Sequence, residues 1–68
     1  MKNRYFVRDY NWEGHGDVDE EIKNGYGKFF DTKEEAINEY NRLWEEELDS
    51  EEGAYVYDIK EKIMIIED

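Results

Sequence analysis

Sixty-eight residues carry 20 Asp and Glu against nine Lys and Arg, a formal net charge of −11, with no Cys and no Pro. That length makes one small α+β domain over residues 1–68, near the lower limit of chains that fold without staples, and the missing Cys excludes disulfides and thiolate metal sites. There is no 18-residue apolar run, and the start Met1 to Tyr5 carries no signal-like apolar stretch, so a soluble cytoplasmic protein without a membrane partner is expected.

Charged residues make up 43% of the chain, which leans toward disorder, but aromatics make up 16% and include two Trp and six Tyr. Those large side chains, set in periodic runs, supply enough apolar surface for a core.

Residues 4–10 read as a strand, because Tyr5, Phe6, Val7 and Tyr10 have high β propensity. Alternation groups Phe6 with Arg4 and Arg8, so Tyr5 and Val7 are expected to face inward. Residues 11–16, with Gly14-His15-Gly16, read as a loop. Residues 17–23 have only Val18 and Ile22 at helical spacing and read as a short helical turn or plain loop. Asn24-Gly25 signals a turn before a short strand over residues 26–30.

The clearest element is a helix over residues 33–48. Thr32-Lys33-Glu34-Glu35 matches a capping box, and Ala36, Ile37, Tyr40, Leu43, Trp44 and Leu48 fall on one stripe. Phe30 is placed to pack on Ala36 or Ile37, and Gly53 is free to adopt a positive φ after the helix. Residues 54–59 and 62–67 then form a hairpin around Lys60-Glu61. The unbroken run Ile63-Met64-Ile65-Ile66 points to a central strand, or one covered on both faces; left uncovered, its edge would invite pairing with a second copy. The expected order is β-β-α-β-β, an antiparallel sheet of three to four strands with one helix on a face.

The residues that carry chemistry are sparse. One Ser, one Thr and one His, with no Cys, give no nucleophilic constellation, and a thin core leaves little room for a cleft that tunes a carboxyl pair. No catalytic residue, metal site or cofactor is assigned. His15, between two glycines, reads as an exposed loop residue rather than a ligand beside Asp17. Asp17-Val18-Asp19-Glu20-Glu21 begins like a calcium loop, but Ile22 stands where such a loop needs Gly and Lys28 where it needs Glu. Direct nucleic-acid binding is disfavoured, since phosphate contacts need a basic surface.

The acids carry the most weight. Glu45, Glu46, Glu47, Asp49, Glu51 and Glu52 fill six of eight positions at the end of the helix, where the macrodipole favours cations. Arg42 is spaced to offset Glu45 or Glu46. Asp17, Asp19, Glu20 and Glu21 form a second cluster. Both clusters read as either a solvated surface or a docking surface for a basic partner protein. Trp12, with Tyr10, offers an alternative route: an adaptor that binds through exposed aromatics.

The stretch Gly27-Lys28-Phe29-Phe30-Asp31-Thr32-Lys33-Glu34-Glu35-Ala36-Ile37-Asn38-Glu39-Tyr40-Asn41-Arg42-Leu43-Trp44 resembles small accessory proteins of phages and other mobile elements in AT-rich Gram-positive bacteria. Some such proteins, including several anti-CRISPR proteins, are tiny, acidic and cofactor-free and occlude a nucleic-acid-binding groove. The resemblance implies that mode of action and assigns no site residue. The expected function is a non-enzymatic inhibitor or nucleic-acid mimic that docks on the basic surface of a nucleic-acid-handling protein.

Overall fold

Strand β1, Tyr5–Tyr10, forms from the aromatic and β-branched run and becomes an interior strand of the sheet. The computed structural model describes residues 2–67. After β1 come helix α1 (Val18–Asn24), strand β2 (Lys28–Phe30), helix α2 (Lys33–Glu46) and strands β3 (Gly53–Asp58) and β4 (Ile63–Glu67). The fold is α+β, with one four-stranded antiparallel sheet in the order β2-β1-β3-β4. The element order therefore corrects the β-β-α-β-β expectation by one helix, α1.

Register sorts the side chains cleanly. Tyr5, Val7 and their neighbours Ala54 and Val56 pack with Ala36 and Leu43 of α2 to make one core. Phe30, Tyr40, Leu48, Ile65 and Ile66 close in around it. The inward placement of Tyr5 and Val7 thus agrees with the alternation argument. With Tyr55 met on the second face by Glu21 of α1 and His15 of the loop before it, Phe6 is nevertheless fully buried too. Its ring lies 5.0 Å from that of Phe29 and 6.0 Å from that of Tyr55. Burying side chains of this size stabilises by roughly 1.5–3 kcal/mol each.

The capping box forms as its sequence indicates: Thr32 Oγ1 accepts from the Glu35 N–H, and the Glu35 carboxylate accepts from the Thr32 N–H. The helix ends two residues early, with Glu47 as its C-cap. Gly53 takes no positive φ and instead opens β3, buried opposite Tyr10. The glycines with a positive φ are Gly14 and Gly25, the latter closing α1 at φ 70.

β4 corrects the central-strand expectation: it lies at the edge, and Ile63 is 56% exposed. The unbroken apolar run has another cause. Val56 pairs with Ile66 and Tyr57 with Met64, so Ile65 is the additional residue of a bulge, and both Ile65 and Ile66 reach the core. The β3–β4 turn is held by Asp58, whose carboxylate accepts from the Lys60 and Glu61 N–H groups at 3.0 and 3.2 Å. Arg4 donates two bonds to the same carboxylate at 3.0 and 2.8 Å, which brings the Asp58 pKa down to about 2.

Candidate functional site

Two antiparallel registers decide where the charges go. Tyr10 lies opposite Gly53, and Tyr55 opposite Glu67, so the ends of β1 and β4 and the start of β3 share one end of the sheet. β2 ends opposite Tyr5, and β3 begins opposite Tyr10, so α2 must run from the Tyr5 end to the Tyr10 end. That direction carries the acidic run 45–52 to the Tyr10 end. The β3–β4 turn with Lys60 and Lys62, the start of α2 with Lys33, and Lys2 all lie at the opposite end.

Within the run, the side chains divide by role. Glu45, Glu46 and Glu51 are exposed. Glu47 pairs with Arg42 at 2.5 Å. Asp49 accepts from the Glu51 N–H at 2.9 Å, and Glu52 accepts from the Asp49 N–H at 3.1 Å, so these two acids also hold the turn into β3. Arg42 does not offset Glu45 or Glu46: it grips Glu39 with two bonds of 2.8 Å and Glu47 with a third contact. Lys28 reaches Glu39 from β2 at 3.3 Å. The Arg42 hydrogen bonds, helped by Lys28, hold the Glu39 carboxyl below its ordinary value against the opposing effect of burial.

The second acidic cluster goes elsewhere. Asp17 caps α1, accepting from the Asp19 N–H at 3.1 Å, while Asp19, Glu20 and Glu21 occupy its first turn, where acids complement the macrodipole. Asp17, Asp19 and Glu20 are exposed on the α1 side of the sheet, opposite α2. They do not merge with the run 45–52. Glu21 is not a surface acid at all: it is buried at 5% exposure.

Glu21 instead centres a polar network. The Tyr55 hydroxyl donates to it at 2.5 Å, the Gly16 N–H at 2.7 Å, and Arg8 pairs with it at 2.9 Å. Burial alone raises a carboxyl pKa, but these donors outweigh it and hold Glu21 below its ordinary value. Burial and the Glu21 carboxylate push the Tyr55 phenol far up, so it remains a donor.

His15 also departs from the exposed-loop reading. Its side chain is 17% exposed, its ring lies 4.7 Å from that of Tyr55 and 5.1 Å from that of Tyr10, and its Nε2 meets the Glu67 carboxylate at 2.5 Å. Nδ1 meets the Gly16 carbonyl at 2.8 Å. Tyr10 is therefore partly covered, whereas Trp12, in the turn closed by the Gly14 N–H to the Asn11 carbonyl, is 74% exposed at the acidic end. This network escaped sequence reasoning because its members are scattered over residues 8–67. The one available signal was Arg8 sharing a strand face with Phe6.

A cleft of about 220 Å³ opens between α2 and the β2 side of the sheet, lined by Val7, Tyr26, Lys28, Glu39, Arg42 and Glu47 among others. It falls below the roughly 300–1,000 Å³ of small-molecule sites, and Glu39 already occupies both its cations. Among the described residues no group of three or more His, Asp or Glu is arranged to hold a metal ion, and no helix is long and apolar enough to cross a membrane. Comparison with known proteins finds no matching family model, no matching curated protein and no matching solved structure.

Proposed function

We propose that this chain is a non-enzymatic acidic interaction module whose Tyr10 end docks on a basic surface of a nucleic-acid-handling protein, as an inhibitor or nucleic-acid mimic of the phage-accessory kind. The observation that carries the reading is the polarity created by strand register and the direction of α2. Glu13, Glu45, Glu46, Glu51 and the turn acids lie at the same end as exposed Trp12, while at the other end Lys2, Lys33, Lys60 and Lys62 offset Asp31, Glu34, Glu35 and Glu61. A duplex presents one charge per about 1.7 Å of axis, so closely spaced carboxylates are what a groove built for phosphates can accept.

The test is capture of a basic partner on the immobilised chain, followed by salt-step elution and competition with duplex DNA. Association should weaken at least about tenfold between ~50 and ~200 mM salt, and DNA should displace the chain. Substituting Glu45→Gln, Glu46→Gln and Asp49→Asn together should abolish binding. The 74% exposure of Trp12 favours the adaptor as the second reading. It wins when the triple variant still binds, Trp12→Ala does not, and salt has little effect.

A further inference from the structure

We infer that the open edge of β4 pairs antiparallel with β4 of a second copy, joining two four-stranded sheets about a two-fold axis.

Among the described residues the sheet order leaves two edges, β2 and β4, each presenting backbone N–H and C=O groups without a strand partner on the outer side. They are not equivalent. β2 is three residues long and begins with exposed Lys28, both of which blunt an edge. β4 is five residues long, reads Ile63-Met64-Ile65-Ile66-Glu67, and has neither Lys nor Pro within it. Ile63, at 56% exposure, is among the most exposed large apolar side chains of the molecule.

The apolar character continues onto α2. Glu39 and Arg42 line the cleft on the β2 side, so the helical period turns Ile37 and Trp44 toward the other flank, the side of β4. Tyr40 lies between, its ring 6.3 Å from that of Trp44. Ile37, Tyr40 and Trp44 are only half-buried, and they leave apolar surface on that flank of the helix.

Charge selects both the occupant and the direction. β4 follows Lys60-Glu61-Lys62 and ends at Glu67, opposite Tyr55 and close to the acidic turn before β3. A parallel neighbour would set acidic end against acidic end. An antiparallel copy instead sets Lys60 and Lys62 of one chain beside Glu67 and the Glu51-Glu52 turn of the other, and symmetry repeats that match. A second copy supplies the complementary charges at both ends of the strand. Because β2 is blunted, pairing at β4 closes at two chains and does not propagate.

Sedimentation equilibrium of the full chain from micromolar to millimolar concentration reads the association. Amide exchange over the same range locates it. The expected result is a dimer in which protection of residues 63–67 rises with concentration while that of β2 does not. Replacing Lys60→Glu and Lys62→Glu, both exposed, should weaken association at least about tenfold by setting acid against acid. Ile63→Glu should do the same from within the strand, and circular dichroism of each variant separates lost pairing from lost folding. A monomer throughout the range overturns the proposal. So does a dimer indifferent to both folded variants, a dimer protected elsewhere than β4, or a monomeric chain whose β4 pairs only with a foreign extended peptide.

Discussion

Glu21 accepts from Tyr55, Gly16 and Arg8, and so anchors α1 and the preceding loop to the sheet through one carboxylate. Tyr55→Phe removes a buried donor and leaves a carboxylate oxygen short of a partner. Urea unfolding should show a loss of about 1–3 kcal/mol. His15 adds a pH dependence of definite sign. Burial disfavours its charge, but the Glu67 carboxylate and the Gly16 carbonyl, both acceptors, raise its pKa above the ordinary 6.5. Glu21 adds to that attraction, while Tyr10 and Tyr55 wall the ring. A raised folded pKa means that His15 contributes fully below the unfolded value and that the contribution disappears as pH rises through the folded value. Urea midpoints between about pH 5.5 and 9 should fall across that window, and His15→Gln should flatten the fall. Asp58 has the opposite sign. Held down to about 2 by Arg4 against an ordinary 3.8, it contributes above the ordinary value and the contribution is lost as acid approaches the lower one.

Among the elements, α2 was the most legible, because its cap and its stripe are local and agree with each other. Thr32→Ala should cost about 1 kcal/mol in thermal or urea unfolding, for want of the hydroxyl that accepts from Glu35. Strand β2 rests on a closer fit. A methyl at Gly27 would stand 2.4 Å from the Val7 carbonyl oxygen and 2.8 Å from the Phe6 ring, so Gly27→Ala should destabilise by about 3 kcal/mol or more. Helix α1 was not fully legible, since Val18 and Ile22 alone make a weak stripe and what the helix buries is a charged residue, Glu21. The edge position of β4 was hidden for a related reason: the bulge at Ile65 turns consecutive isoleucines toward one core and imitates a strand covered on both faces.

At the scale of the whole molecule, composition revealed the excess of acid but not its placement, which depends on pairings between residues far apart in the chain. The run 45–52 works against its own helix: the last turn of α2 holds no cation, and Glu45 and Glu46 sit at the negative end of the macrodipole. Neutralising Glu45 and Glu46 should therefore stabilise the free protein by about 0.3–1 kcal/mol per misplaced charge at low salt, seen as a raised thermal midpoint, and the gain should shrink as salt is added. The direction of α2 has one more effect. Its helix ends on the acid-rich side, and the lysines of the β3–β4 turn lie at the opposite end of the sheet. Separated charge on so small an object is a lever arm. In the field of a cationic surface a single unpaired chain experiences a torque before it touches, and swings the Trp12 turn foremost, so that fewer collisions are wasted on the wrong face, whereas antiparallel pairing of two chains cancels that torque.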